Sequence, residues 1–329
     1  MMKSAVWCAA IAIVGQAVLA GSAVAEVGAP QNWQTGLQVA VTPLAEMAQS
    51  FYDYVTIIII GITLFVLGLM AYVIVRFREK ANPEPARFTH NTTIEVLWTV
   101  IPIFILIAIG IPSFNLLFKQ YEYPPPEVTI KSVGNAWFWE HEYPDQDGLT
   151  VTQNMITDAD ILKANIGDDK YNEAYGDLEG LELLRATYRD SQQYWASYPA
   201  QRQLAVDNPI AVPINKVVHV LVTSNDVIHG WAMPAFGSRT QAVPGRTTAT
   251  WFKATKTGAF YGQCSVLCGT RHAFMPMEIH VVEEDTYNQW LALMKDDKDV
   301  EARKLLYDAL PKRGEQNVAL RQPTAANEN

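Results

Sequence analysis

The residues most able to do chemistry in this chain are a histidine and, further on, a compact sulfur-rich run. They are His229, Cys264, Cys268, His272 and Met275, in the pattern His-x34-Cys-x3-Cys-x3-His-x2-Met. Thiolate and thioether sulfur favour Cu(I), and imidazole accepts copper in either oxidation state, so the donor set suits copper. Two cysteines in a Cys-x3-Cys spacing can place both sulfurs between two metal ions, which a mononuclear site does not require. His229 and His272 then cap one ion each, with Met275 and a backbone carbonyl, that of Val266, as weak axial contacts. Sharing one electron over both ions changes little geometry on oxidation or reduction. Such a centre suits single-electron transfer and not substrate binding. Three simpler arrangements compete. A Cys264–Cys268 disulfide leaves the flanking His and Met unexplained. Zinc accepts two Cys and two His but has no use for Met275 and no redox change. A blue-copper site leaves the second cysteine redundant. The ligand count favours dinuclear copper.

The rest of the chain must carry this run to its place of work. Residues 1–25 begin with Lys3, pass through a short apolar stretch broken by Gly15 and Gln16, and end at Ala23-Val24-Ala25. This fits a secretory signal, with the mature chain starting near Glu26. Cleavage there removes Cys8 and leaves Cys264 and Cys268 alone in an oxidising compartment. Two longer runs, 55–75 and 96–118, hold no charged residue, and each can cross ~30 Å of hydrocarbon as a helix. Arg76, Arg78, Lys80 and Arg87 lie between them, so the positive-inside rule puts that connector in the cytoplasm and both chain ends in the periplasm. The expectation is a two-pass protein of a bacterial inner membrane. Its hairpin covers 51–122, with spans of about 55–77 and 96–118, and the lead-in over 26–50 has no assigned role. Pro102 and Pro112 are tolerable inside a span because neighbouring helices can satisfy the freed carbonyls.

From Lys119 onward, 28 Asp and Glu stand against 20 Lys and Arg. That balance argues against nucleic acid as a partner; it can steer a small basic protein, or simply keep the domain soluble. Pro124, Pro125 and Pro126 cannot continue a helix and mark the exit from the hairpin. Strand-like segments then occur at 128–133, 137–143, 217–222, 246–252, 259–261 and 277–282, a spacing that suggests an antiparallel sandwich or barrel over 127–285. Residues 148–204 shift to helical periodicity broken by Gly167, Gly176 and Gly180, as expected of a loop insertion with one or two short helices. Residues 284–295 form an amphipathic helix, and the remainder to 329 is a polar tail. His141, His219 and His280 have no spacing that ties them to the copper run and belong to the scaffold.

Further stretches point the same way: Phe88-Thr89-His90-Asn91 leading into Glu95 and Trp98, Trp137-Phe138-Trp139, Asp226-Val227-Ile228-His229 followed by Trp231, and Ala242-Val243-Pro244-Gly245-Arg246. Over about residues 40–295 the chain resembles subunit II of the haem–copper cytochrome c oxidases. The resemblance implies an all-β cupredoxin-like Greek-key barrel preceded by the two-helix hairpin. It also implies a subunit that takes electrons from reduced cytochrome c at a dinuclear copper (CuA) centre and passes them to haem in catalytic subunit I. There oxygen is reduced and protons are pumped, with subunit III as a further neighbour. A copper-bearing subunit of another terminal reductase and a membrane-tethered copper carrier remain open alternatives.

Under the same resemblance Trp137 is where electrons enter, and Glu142, Asp207 and Asp226 belong to an acidic docking face that orients a lysine-rich donor. On spacing alone, ordinary core packing explains Trp137 and Trp139 equally well, because residues two apart on a strand share a face. Glu95, with His90 close by, matches an acid at the entrance of a proton path in the catalytic subunit. A carboxylate at that depth is costly, and snorkelling to water is the plainer account. The chain also departs from the family. Val266 stands where a Glu usually helps hold a magnesium ion shared with the catalytic subunit, so that ligand is missing. Gln241 replaces a common Asp and Arg271 a usual Asn, and the Arg271 guanidinium is expected to compensate for the absent metal charge.

Overall fold

The computed structural model describes residues 28–84 and 87–310. The expected signal segment 1–25 and the end of the polar tail lie outside the described residues. Two long helices come first, α1 (Pro43–Arg76) and α2 (Thr92–Gln120). Thr42 caps α1 by accepting from the Ala45 N–H, and Pro43 sits in the first turn, where its missing N–H costs nothing. Asn91 caps α2 in the same way through Ile94 N, and Pro102 and Pro112 fall inside α2 without ending it. The mean hydropathy of the apolar windows is 2.8 and 2.5, and no residue in them is buried. Their surface must meet lipid or other subunits. The chain is a two-span membrane protein.

Residues 43–50 thus belong to α1, which shortens the lead-in expected over 26–50. Residues 28–42 also brace the domain that comes after the hairpin. Gly28 O accepts from Tyr261 N at 3.0 Å, Val41 N donates to Ala235 O at 3.1 Å, and Val41 O accepts from Thr255 N at 2.9 Å. Backbone pairing of this kind is independent of side-chain identity, so the sequence could not announce it. The hairpin is fastened to the β-domain at both helix ends. Thr42 Oγ1 donates to Phe236 O at 2.7 Å, Trp251 Nε1 to Gln120 O at 3.2 Å and Tyr123 OH to Ala249 O at 2.8 Å, while His219 Nε2 lies 2.7 Å from Pro124 O.

The β-domain holds ten strands: β1 (Val128–Asn135), β2 (Phe138–Tyr143), β3 (Leu149–Gln153), β4 (Ile210–Pro213), β5 (Val217–Ser224), β6 (His229–Met233), β7 (Ser238–Ala242), β8 (Thr248–Lys253), β9 (Gly258–Gln263) and β10 (Pro276–Val282). One sheet runs β3-β2-β1-β5-β8, the second β4-β10-β9, and β6-β7 form a hairpin. The pairs β1–β5 and β4–β10 are parallel, which corrects the expectation of a purely antiparallel domain. Strand β5 shows the period-two logic, with Val218, Val220 and Val222 buried and their neighbours partly exposed. Fully buried Trp139, Trp231, Phe236, Phe252 and Phe260 fill the core. This is the expected all-β cupredoxin-like domain behind a helical hairpin.

Three elements differ from expectation. Residues 149–153 pair with β2, so the insertion begins after Gln153. It contains three helices, α3 (Asp158–Ile166), α4 (Asp168–Tyr175) and α5 (Gly180–Trp195). After α6 (Glu284–Lys295), the polar tail holds a further helix, α7 (Asp299–Asp308), whose Ala302 and Leu306 are buried. Every residue of β10 is buried, including the Glu278–His280 pair at 2.8 Å. A strand covered on both faces can keep such groups only if they are partnered.

His141 is fully buried between Ser132 Oγ at 2.9 Å and Gln153 Oε1 at 3.2 Å. Burial disfavours the imidazolium and pulls its pKa from 6.5 down to about 4. The folded value is depressed, so the unfolded chain binds the proton first. Stability from this group is complete above the unfolded value and is lost as pH falls toward the folded one, by up to ~3 kcal/mol. The His141→Gln variant should therefore lose less stability than wild type between neutral and mildly acidic pH, measured by thermal unfolding of the solubilised chain. Equal slopes would contradict this.

Candidate metal centre

Strand β6 opens with His229, and the loop between β9 and β10 supplies the other donors, with His272 on a single 3-10 turn. The loop is pinned beside β6: Ser265 N donates to Gly230 O at 2.9 Å, and from β7 Arg239 Nε donates to Ser265 Oγ at 3.0 Å. Cys264 Sγ lies 3.7 Å from Cys268 Sγ, 3.9 Å from His229 Nδ1 and 3.2 Å from Val266 O. Cys268 Sγ lies 3.5 Å from both His272 Nδ1 and Met275 Sδ. Both thiols are free, and their separation far exceeds a disulfide's ~2.05 Å. The cysteines, His229 and Met275 are buried, whereas His272 is half-buried. Every donor read from the sequence is thus brought together. Soft sulfur and neutral imidazole in one buried cluster fit copper.

The electrostatics favour cation uptake. Burial alone would raise the Cys264 thiol, but hydrogen bonds from His229 and from the Gly230 backbone pull it down to about 6. Burial and the neighbouring Cys264 charge push Cys268 up to about 12. The two thiols are thus driven in opposite directions, Cys264 toward thiolate and Cys268 toward thiol, and a cation bound between them would favour loss of the remaining proton.

Asp226 organises the other side. Its Oδ1 lies 2.8 Å from His229 Nε2, and its Oδ2 accepts from Ala136 N at 2.6 Å. Burial would raise this carboxyl, yet the contacts to His229 and to the Val227 and Ala136 N–H groups hold it below the ordinary Asp value. With Nε2 held as a donor by Asp226, Nδ1 faces the sulfurs, where it donates to Cys264 in the metal-free cluster and would offer its lone pair to a bound ion. The Ala136 contact ties the same carboxylate to the segment carrying Trp137, whose Nε1 donates to Cys268 O at 3.3 Å.

Two supporting residues are not legible from sequence. Trp139, which spacing marks only as a packing residue, donates from Nε1 to Met275 O at 3.2 Å and sets its ring edgewise to His229 at 6.0 Å. Gly134 on β1 lies so close to the His229 ring that a Cβ would sit 2.8 Å from Cδ2. The remaining expected residues sit apart. Glu142 pairs with Lys131 at 2.8 Å. Asp207 accepts from Asn154 N at 2.8 Å at the base of the insertion. Glu95 accepts from Asn91 N at 3.3 Å at the start of α2, and Thr89 Oγ1 lies 3.3 Å from His90 Nδ1. Gln241 stands opposite Gly230 in the β6–β7 ladder, and Arg271 is exposed beside the insertion.

Fold and site define a two-span membrane protein whose β-domain gathers a cluster of soft metal-donor side chains. The family model for the "Cytochrome C oxidase subunit II, periplasmic domain" matches residues 192–282, and that for its "transmembrane domain" matches residues 30–116. The chain is 42% identical over 265 residues to cytochrome c oxidase subunit 2 of Cereibacter sphaeroides, covering 80% of this chain and 82% of that protein. It is 40% identical over 264 residues to the probable subunit 2 of Rickettsia prowazekii (strain Madrid E), covering 80% and 73%. The crystal structure of the periplasmic domain of subunit II of cytochrome oxidase (CoxB) of Bradyrhizobium japonicum aligns at 38% identity with a TM-score of 0.40, covering 54% of this chain and 99% of that one. The chain belongs to the cytochrome c oxidase subunit II family, a copper-binding family. It is the electron-receiving subunit of a haem–copper oxidase and associates with the other oxidase subunits.

Proposed function

We propose that this chain accepts electrons one at a time from reduced cytochrome c beside Trp137 and delivers them toward haem in the catalytic subunit, from a domain on the periplasmic side of a bacterial inner membrane. The observation that carries the reading is the cluster itself: two unbonded thiols 3.7 Å apart, each with its own histidine within 3.9 Å. His229, Cys264, Cys268, His272, Met275 and the Val266 carbonyl would hold a dinuclear copper (CuA) centre. When bound, the metal pair supplies reversible one-electron chemistry with little rearrangement.

The chain's own residues do the rest. Trp137 lies half-exposed against the Cys268 carbonyl and offers a polarisable contact between the surface and the cluster. Asp226 orients His229, while the buried Trp139 holds the carbonyl of Met275 and shuts water out beneath it. Glu142, on the strand that follows Trp137, contributes charge to donor docking, and Glu95 marks the cytoplasmic end of α2 near a proton path of the neighbouring subunit. Val266 brings no carboxylate, so it provides no magnesium ligand.

Reconstitution of the purified, detergent-solubilised chain with copper tests this. The expected product is purple, with near-infrared absorption and an unpaired electron shared by two nuclei. Uptake of a single ion, or a colourless Cu(I) protein without the near-infrared band, would overturn the reading.

A further inference from the structure

We propose that the cleft between α5 and the metal-binding loop is a socket for a segment of a neighbouring oxidase subunit, one that is apolar and bears a carboxylate. The proposal rests on the reading of this chain as an oxidase subunit. A cavity of about 440 Å³ separates Leu184 and Tyr188 of α5 from Arg271 and Phe274 of the loop. Each of these loop residues immediately precedes a metal-binding side chain, His272 or Met275.

The charges at the cavity select its occupant. Asp158 is closed off: its carboxylate accepts from Arg202 Nε at 2.8 Å and Nη2 at 2.6 Å, from Trp195 Nε1 at 2.8 Å and from Ser191 Oγ at 2.9 Å. The Arg271 guanidinium has no hydrogen bond or ion pair to any described residue and the residue is exposed; only its backbone carbonyl is engaged, by Phe274 N at 2.8 Å. The cleft is therefore locally positive in a domain that is acidic as a whole. A lysine-rich electron donor is mismatched there, and a carboxylate is matched.

The apolar surface extends past the cavity. Leu181, Leu184 and Tyr188, at helical spacing along one stripe of α5, are 60%, 64% and 49% exposed, and Phe274 is 43% exposed. A collar of large apolar and aromatic side chains around an unpaired arginine has the composition of an interface core. A small ligand confined to the cavity would leave this collar bare. The insertion, which carries none of the copper donors, thus acts as a clamp that seats a neighbouring subunit against the loop bearing His272 and Met275.

A photo-cross-linking amino acid placed at Leu184 in the intact, purified oxidase tests this. Irradiation should join α5 to a peptide of another oxidase subunit that contains Asp or Glu. Cross-links only to added cytochrome c, or none despite incorporation, would overturn the proposal. A Leu184→Asp variant gives a second measure. Neighbouring subunits should co-purify about tenfold less, the loss expected when an interface anchor is removed, while the near-infrared copper band stays unchanged. Undiminished co-purification would also overturn it. The copper band itself separates the two readings: a missing band sinks the electron-receiving role whatever the cross-links show, whereas a normal band without a cross-link sinks the socket alone.

Discussion

Replacing Cys268 by serine will abolish the shared-electron copper spectrum and with it electron acceptance from cytochrome c. Its Sγ is the hub of the cluster, within 3.7 Å of the other thiol and 3.5 Å of both His272 Nδ1 and Met275 Sδ. Serine nearly preserves the shape, but its hydroxyl is a harder donor that stays protonated and cannot replace a soft thiolate. The variant should fold normally, since Cys268 is buried without a disulfide to lose. Metal analysis should show copper stoichiometry falling from two ions to at most one, and electron paramagnetic resonance should confine the unpaired electron to a single nucleus. A retained two-nucleus signal would exclude the bridging role.

Asp226→Ala is expected to weaken copper binding by about 10–100-fold, the usual effect of losing a carboxylate that orients a ligating histidine. Two things fail together: His229 Nε2 loses its 2.8 Å partner, and the Ala136 N–H before Trp137 loses its acceptor at 2.6 Å. The family resemblance also assigns this residue to the donor-docking face, and the two roles separate by measurement. A docking carboxylate changes the rate and salt dependence of cytochrome c association and leaves copper affinity alone. A positioning carboxylate changes copper affinity measured by competition with a chelator, and Asn, which keeps an acceptor oxygen, should restore part of it. Wild-type copper affinity in the alanine variant would leave only the docking role.

Much of the site was legible because its chemistry is local. Cys264, Cys268, His272 and Met275 lie on one loop, so residue type and spacing sufficed to pick out the side chains that the structure clusters. The two membrane spans were legible for a similar reason: an uninterrupted apolar run is a property of consecutive residues. The span limits were less so. Capping by Thr42 and Pro43 starts α1 well before the apolar run, where polar residues keep helical geometry that hydropathy does not register.

Other features depended on contacts that sequence order does not encode. The bond from Ala136 to Asp226 spans 90 residues and converts a surface acid into a brace for His229. The hydrogen bond from Trp139 to Met275 spans 136 residues and turns a packing residue into a support of the metal loop. The parallel pairing of β1 with β5 and of β4 with β10 was equally hidden, because alternation of buried and exposed residues reports a strand but not its partner or direction. By itself, then, the sequence determined which soft side chains gather on one loop, the two apolar spans and the β character of the domain after them, all of which depend on neighbouring residues. Only the tertiary structure decided which carboxylate steadies His229, how the lead-in and tail brace the sheets, and that the insertion stands beside the metal loop with Arg271 unpaired. Those outcomes depend on the free energy of packing distant segments together, which no local pattern contains.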